Sequence, residues 1–228
     1  MQSNINSRWD KPHTQIGAVE NELYLSAAAK LANRRPFSPS EGYYYNEAIK
    51  AYDWFTASGL INDDFLINNG LDLTTCKNDG FPILTYNQGI ILGGLTELSW
   101  VNGERKYLDL ANKIANATIT TMTDANGILH EEVCESEKGD RGCSTDLQQF
   151  KGIFGRNVQF LHERAEGLSE EVKTQYKTFL QKNADSIWAF SQADNQLGLV
   201  WSGPQTSATV MTQISALDAI VGAACVTA

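Results

Sequence analysis

Apolar residues recur at helical spacing over most of this chain. A repeat of three or four residues places apolar side chains along one face of a helix. The windows with this repeat cover approximately residues 16–34, 43–58, 86–101, 104–122, 148–165, 169–191 and 206–224. Long polar connections at 59–85, 123–147 and 192–205 alternate with short ones. The pattern predicts an all-α protein of about seven helices, in which antiparallel neighbours form stacked hairpins.

Glycine-containing pairs mark several boundaries of the predicted helices. Gly59 follows the second window, at the position where a glycine commonly caps a helix C-terminus. Asn102-Gly103 ends the third window in the same manner. Asn69-Gly70 and Asp79-Gly80 indicate turns that could join short strands. No tight sequence repeat is present, which disfavours a regular helical solenoid.

The third window begins with an unusually polar turn. Tyr86, Asn87 and Gln88 directly precede an apolar run that contains Gly89 and Gly93. Amides at the mouth of a helical bundle can bind hydroxyl groups, because an amide both donates and accepts hydrogen bonds. The two glycines would leave a smooth stripe that lets another helix approach closely. The stretch is therefore either the wall of a polar cavity or a tightly packed core helix with a polar first turn.

Composition and charge narrow the class of protein. The 228 residues are 42% hydrophobic and 20% charged, which is typical of one globular domain. A net charge of −9 argues against nucleic-acid binding, which depends on Lys and Arg. No apolar run approaches the ~20 residues that span a bilayer, and the N-terminus lacks a signal-peptide pattern. We expect a loose segment over residues 1–12 and a single domain over 13–228.

The four cysteines suggest one local disulfide. Cys134 and Cys143 bracket a short polar segment, which favours a bond between them. Cys76 and Cys225 could then pair or stay free. The cysteine and histidine spacings do not fit a zinc site, and we expect neither a metal nor another cofactor.

Several segments, in matching order over about residues 12–224, resemble glycoside hydrolase family 76. The resemblance implies an endo-acting α-1,6-mannanase with an (α/α) toroid of six helical hairpins and a cleft lined by the inner helices. Seven helices would be an incomplete set, because the family domain is longer and its missing part precedes residue 12. The segments that carry the resemblance are Glu20–Tyr24, Trp54-Phe55, Ile67–Leu71, Tyr86–Leu95, Phe150–Asn157, Asn183–Trp188, Trp201–Pro204 and Thr212–Asp218.

The resemblance leaves the catalytic residues of this chain unknown. Glycoside cleavage generally uses two carboxyl groups that flank the scissile bond. The resemblance implies an adjacent aspartate pair near the start of the family domain, and no segment here matches it. Asp63-Asp64 is an adjacent pair, but it follows the second helix, so we interpret it as solvated and not catalytic. We interpret the acids of the 124–147 loop likewise as solvated: Glu131, Glu132, Glu135 and Glu137.

What the resemblance does supply is a set of candidate substrate-binding residues at helix starts and on the long loops. Arg156 would either contact sugar or pair with a buried carboxylate. Trp201 would either stack on a sugar ring or cover the core, and Lys151 could simply hold a loop carbonyl. The full set is Tyr86, Asn87, Gln88, Asp146, Phe150, Lys151, Arg156 and Trp201.

Two functional hypotheses follow from these observations. The first is an α-1,6-mannan hydrolase or transglycosidase whose chain here lacks its N-terminal portion. The alternative is a truncated, non-catalytic relative that binds mannan or a protein partner. The expected ligand is α-mannan or another mannose-containing polysaccharide, and the resemblance implies an extracellular or cell-wall location. An incomplete toroid would also expose the apolar flanks of its first and last helices, which promotes self-association.

Overall fold

The computed structural model describes residues 15–34, 42–135, 143–205 and 208–227. Within these ranges eight α-helices dominate and the strands are short, which confirms the all-α prediction. The Leu147–Gln149 segment is a single 3-10 turn that leads into α6. The helices are α1 (Ala18–Arg34), α2 (Tyr43–Ala57), α3 (Thr85–Asn102), α4 (Arg105–Thr121), α5 (Glu132–Glu135), α6 (Phe150–Arg164), α7 (Glu170–Phe190) and α8 (Val210–Cys225).

Two small antiparallel sheets join the helices. β1 (Gln15–Gly17), β2 (Gly70–Asp72) and β3 (Lys77–Asn78) lie in that order, with Ile16 opposite Leu71. β4 (Gln192–Ala193) and β5 (Gln196–Leu197) form a hairpin. The hairpin follows α7, so the 192–205 connection is partly ordered by its own backbone pairing.

The β4–β5 hairpin is built on a tight turn and is too short to be recognised from the pattern of apolar residues. Asp194 and Asn195 occupy the turn with φ of 51° and 63°. Two consecutive residues with positive φ are typical of the tight turns that match strand twist, and Asp and Asn tolerate this conformation best after Gly. A two-residue loop between two-residue strands is too short to show alternation.

The described residues divide into two compact units, one before and one after the boundary between Ile114 and Ala115. In the first unit α1 packs against both α2 and α3. The close approach occurs at Gly94, where a Cβ would meet the side chain of Leu25 and lie 3.3 Å from the Cα of Ser26. Gly89 and Gly93 are also buried in α3, but the close approach of α1 is at Gly94.

In the second unit α8 packs against α6 and α7. A Cβ on Gly152 would lie 2.6 Å from both the Cα and the carbonyl oxygen of Ser215. The Gly152 N–H donates to the Ser215 hydroxyl at 2.9 Å, which satisfies one of the orphan donors in the first turn of α6. The backbones of α6 and α8 are therefore in direct contact at this glycine.

The helix boundaries differ from the predicted ones by a few residues. Gly59 follows α2 with φ of 86°, as its capping position predicted. The predicted 148–165 helix is divided into the 3-10 turn and α6, and the one-turn helix α5 lies inside a segment predicted as loop. The expectations for residues 1–12 and for Glu137 lie outside the described residues. No helix in the described part is long and apolar enough to cross a membrane.

Candidate functional site

The side chain of Gln88, in the first turn of α3, forms hydrogen bonds with backbone groups. Its Oε1 accepts from the Ile67 N–H at 2.8 Å, and its Nε2 donates to the carbonyls of Ile67 at 2.9 Å and Leu84 at 3.1 Å. The side chain is fully buried. Both amide donors are used, so Gln88 fastens the segment before β2 to the start of α3.

Tyr86 and Asn87 share one acceptor, the side-chain oxygen of Asn69. The half-buried Tyr86 donates its hydroxyl to Asn69 Oδ1 at 3.3 Å, and Asn87 Nδ2 approaches the same oxygen at 3.5 Å. Asn87 is fully buried, and its Oδ1 accepts no hydrogen bond from any described group. A buried acceptor left unpaired costs roughly 1–3 kcal/mol. A hydroxyl donor beside Asn87 would therefore be stabilising, and Tyr86 is the member of this turn that solvent reaches.

Two acids on α1 were not singled out from the sequence. Glu22 is fully buried, and neither of its carboxyl oxygens has a partner among the described residues. Burial, and secondly the nearby charge of Glu20, raises the pKa of Glu22 well above its usual value. The signal was available, because Glu22 shares the buried face of α1 with Leu25, Ser26 and Ala29. An acid on that face has to be paired or protonated.

The adjacent pair Asp63-Asp64 lies on an exposed turn. The turn is closed by Asn62, whose side-chain oxygen accepts from the backbone N–H groups of Asp64 and Leu66 at 3.0 and 2.9 Å. The interpretation of the pair as solvated is therefore consistent with its exposure. Among the described residues no group of three or more His, Cys, Asp or Glu could hold a metal ion.

Lys151 is the centre of a buried network in the second unit. Its Nζ lies 2.5 Å from Glu135 Oε1 and donates to the Leu199 carbonyl at 2.8 Å. The same nitrogen lies 4.7 Å from the ring centroid of Trp201, and all three side chains named here are almost completely buried. Lys151 therefore joins α5, α6 and the segment that follows β5.

The charged groups of this network shift each other's pKa values. Burial lowers the pKa of Lys151, and the Glu135 carboxylate opposes that shift. Burial would raise the pKa of Glu135, but Lys151 and His130 outweigh it and hold that pKa below its usual value. The prediction that the loop acids are solvated is wrong for Glu135 and for the fully buried Glu131, because Lys151 supplies a buried countercharge that loop composition does not reveal.

The remaining candidates of the second unit have different surroundings. Trp201 is buried against Lys151, so in this structure its ring covers core and presents no open face. Arg156 Nη1 donates to Asp218 Oδ2 at 3.0 Å, so it pairs with a partly buried carboxylate while its own side chain stays largely exposed. Asp146 is exposed at the start of the 3-10 turn, and Phe150 is half-buried.

The disulfide favoured by the sequence is present. Cys134 and Cys143 are bonded, with Cα atoms 4.7 Å apart. Cys134 directly precedes Glu135, so the bond anchors the helical turn that carries the partner of Lys151. Cys76 and Cys225, whose pairing was left open, are both free and exposed.

His130 lies between this network and solvent. Its ionisation should make the stability of the protein depend on pH. Its Nε2 lies 3.2 Å from Glu132 Oε2 and its Nδ1 lies 3.4 Å from Glu135 Oε2. The hydrogen bond to Glu135 raises the pKa of His130 above 6.5. A raised folded pKa means that the contribution is fully present below the unfolded pKa and is lost as the pH rises through the folded pKa.

We therefore expect the urea concentration at the unfolding midpoint to decline as the pH rises from roughly 5.5 to 8.5. We expect the substitution His130→Gln to remove this decline. His162→Gln is the matched control, since burial lowers the pKa of His162 and its contribution has the opposite sign. An unchanged decline in His130→Gln would show that the carboxylates do not stabilise the imidazolium.

A family model described as Glycosyl hydrolase family 76 matches residues 4–227. The chain belongs to this family, whose solved members are (α/α) toroids.

Curated relatives are mannan endo-1,6-α-mannosidases of yeasts. DCW1 of Candida glabrata is 28% identical over 179 residues, which are 77% of this chain and 37% of that protein. DFG5 of Saccharomyces cerevisiae is 27% identical over 183 residues, 78% of this chain and 38% of that protein. The chain therefore matches little more than a third of the length of these relatives.

Solved structures show the same fold. An inactive variant of the α-1,6-mannanase GH76A of Salegentibacter sp. HEL1_6, in complex with α-1,6-mannotriose, superposes with a TM-score of 0.80 and 21% identity over 98% of this chain and 63% of that one. Dfg5 of Chaetomium thermophilum, in complex with glucosamine, gives a TM-score of 0.80 with 16% identity over 96% of this chain and 53% of that one.

Proposed function

We propose that this chain forms the sugar-binding part of an α-1,6-mannan-active glycoside hydrolase. The family match over residues 4–227 carries the proposal. The Salegentibacter enzyme that binds α-1,6-mannotriose supports it, because 98% of this chain superposes on that protein. The expected ligand is α-mannan or a related mannose-containing polysaccharide. By the same kinship we propose an extracellular or cell-wall location.

Within this function we assign the candidate residues to two roles, contact with the sugar and positioning of the site. Tyr86 can offer its hydroxyl and ring to a sugar. The buried Asn87 Oδ1 can accept a hydrogen bond from a sugar hydroxyl when the residues around Asn87 move slightly. Gln88 and Lys151 act as positioning residues, because their polar groups already bind backbone carbonyls. Phe150 is partly accessible at the start of α6 and can add apolar contact. The exposed Asp146 precedes α6, and the exposed Arg156 lies near the middle of this helix. The buried Trp201 lies in the segment between β5 and α8.

We propose that Asp63 and Asp64 are not the carboxylates that cleave the glycosidic bond. The inactive Salegentibacter variant has two consecutive aspartates replaced by asparagine. The consecutive aspartates of this sequence, Asp63 and Asp64, lie on a solvent-exposed turn closed by Asn62. An exposed turn does not hold two carboxyl groups on opposite sides of a glycosidic bond. Binding without cleavage also fits a non-catalytic mannan-binding relative, the second hypothesis.

Incubation of the chain with α-1,6-mannan separates these assignments. We expect the polysaccharide to retard the chain in affinity electrophoresis while no oligosaccharide is released. Asp63→Asn and Asp64→Asn should behave like the parent chain. Oligosaccharide release that either variant abolishes would place the cleaving carboxylates at this turn and contradict the proposal.

A further inference from the structure

Glu22 is a buried acid on α1 that has no role in the site described so far. Its side chain is completely buried, and neither carboxyl oxygen has a hydrogen-bond partner among the described residues. Asn87 on α3 is similar, because its buried Oδ1 is also unpaired in the described part of the chain. Unpaired buried polar groups lower stability, so each of them calls for an explanation by function or by a bridging water.

The helices α1 and α3 run in the same direction where they pack together. Ser26 lies against Gly94, since a Cβ on this glycine would be 3.3 Å from the Cα of Ser26. Further along both helices, Asn33 donates to the Glu97 carbonyl at 2.9 Å and to Glu97 Oε2 at 2.7 Å. Residue numbers increase together from the first contact to the second, so the two helices are parallel.

Glu22 and Asn87 lie on the two sides that face each other, near the N-terminal ends. Glu22 precedes Ser26 by four residues and Asn87 precedes Gly94 by seven, and both spacings keep a residue on the same face of a helix. Helical side chains tilt toward the N-terminus, so the Glu22 carboxyl group extends back toward the level of Asn87. A side-chain rotation or one bridging water would join the two groups.

The hydrogen-bonding chemistry of the two groups is complementary. Burial, and secondly the charge of Glu20, raises the pKa of Glu22 well above its usual value. This favours the neutral acid, which carries one O–H donor, whereas the amide oxygen of Asn87 only accepts. That oxygen has two lone pairs, so it can accept from Glu22 and also from a sugar hydroxyl.

The influence of Glu22 would reach Tyr86 through Asn87 and Asn69. A donor on Asn87 Oδ1 fixes which end of the amide turns toward Asn69, because the two ends have opposite hydrogen-bonding roles. Asn87 Nδ2 approaches Asn69 Oδ1 at 3.5 Å, and Tyr86 donates to the same oxygen at 3.3 Å. We propose that Glu22 is a positioning residue of the sugar site, whose carboxyl group holds the Asn87 amide in this orientation. This inference rests on the proposed binding of mannan at the start of α3.

Binding and stability, measured on the same variants, test this role. Glu22→Met replaces the unpaired acid by a flexible apolar side chain, so we expect an unfolding temperature at or above that of the parent chain. In calorimetric titration we expect this variant to bind α-1,6-mannotetraose at least tenfold more weakly. Glu22→Gln keeps a donor and an acceptor without a charge, so it should bind like the parent chain.

Glu97→Met is the matched control. Glu97 is a second buried acid of the α1–α3 contact, but it is paired with Asn33 and Arg34. It follows Asn87 by ten residues, or about 15 Å along the helix axis. We expect Glu97→Met to lower the unfolding temperature and to leave sugar binding unchanged. Parent-like binding by Glu22→Met, equally weak binding by Glu22→Gln, or failure of Glu22→Met to fold would each overturn the proposal.

A measurement without sugar separates this inference from the proposed function. The side-chain amide signal of Asn87, assigned by its loss in Asn87→Ala, should shift in the NMR spectrum of Glu22→Met and keep its position in Glu97→Met. An unshifted signal in Glu22→Met would overturn the inference even in a chain that binds mannan. A shifted signal in a chain that binds no tetrasaccharide would support the orientation of Asn87 by Glu22 and contradict only the proposed function.

Discussion

Lys151→Ala is expected to lower the free energy of unfolding by about 3–5 kcal/mol, the usual consequence of removing one partner of a buried ion pair. The variant would leave the Glu135 carboxylate buried without its countercharge and the Leu199 carbonyl without its donor. It would also remove the ammonium group from the ring of Trp201. Urea denaturation at neutral pH measures the change.

Two further variants separate the ion pair from general packing. Lys151→Ala combined with Glu135→Gln should lose less than the sum of the single losses, because each single change leaves a partner unsatisfied. Lys106→Ala is the matched control: Lys106 pairs with Glu104 on the surface, so we expect a much smaller loss of stability. Equal losses for Lys151→Ala and Lys106→Ala would contradict the buried network.

Gly152→Ala is expected to destabilise the protein by about 1–3 kcal/mol, through overpacking of a contact that cannot relax by a rotamer change. The added Cβ would meet backbone atoms of Ser215 at 2.6 Å. Helices α6 and α8 would have to separate, which would also weaken the hydrogen bond from the Gly152 N–H to the Ser215 hydroxyl.

Gly155→Ala, in the same helix, is the matched control. Its Cβ would have Ala219 Cα as the nearest neighbour at 3.9 Å, which is ordinary contact. Replacing a helical glycine by alanine gains up to about 1 kcal/mol of helix propensity, so this variant should be neutral or more stable. Thermal unfolding of both variants gives the comparison. A Gly152→Ala protein as stable as Gly155→Ala would show that α6 and α8 do not touch there.

The helices could be predicted because each long one carries its own periodic signal. α3, α4, α7 and α8 all span 16 to 21 residues, enough turns to show a buried stripe. β1 could not be predicted, because its three residues pair with β2 more than 50 residues away along the chain. α5 is a single turn, and one turn has no detectable period.

The elements that carry the candidate site residues could be predicted from the sequence, but the contacts of these residues could be predicted only in part. The polar turn of α3 was recognised from its composition, whereas the binding of Gln88 to Ile67 depends on a loop 21 residues earlier. The Lys151–Glu135 pair was missed, although a signal existed: Lys151 shares the buried face of α6 with Phe154 and Val158. A lysine on such a face requires a buried acceptor, and the polar loop before α6 was the place to look for it.

Calorimetric titration of the chain with α-1,6-mannotetraose tests the central claim, that these residues bind α-1,6-mannan, most directly. We expect saturable binding of the α-1,6-linked tetrasaccharide, none of an α-1,4-linked glucose tetrasaccharide, and at least tenfold weaker binding by Tyr86→Ala. Tyr43→Ala, which removes an exposed tyrosine at the start of α2, should bind like the parent chain. Absence of binding by the folded parent chain, or equal binding of both tetrasaccharides, would contradict the account.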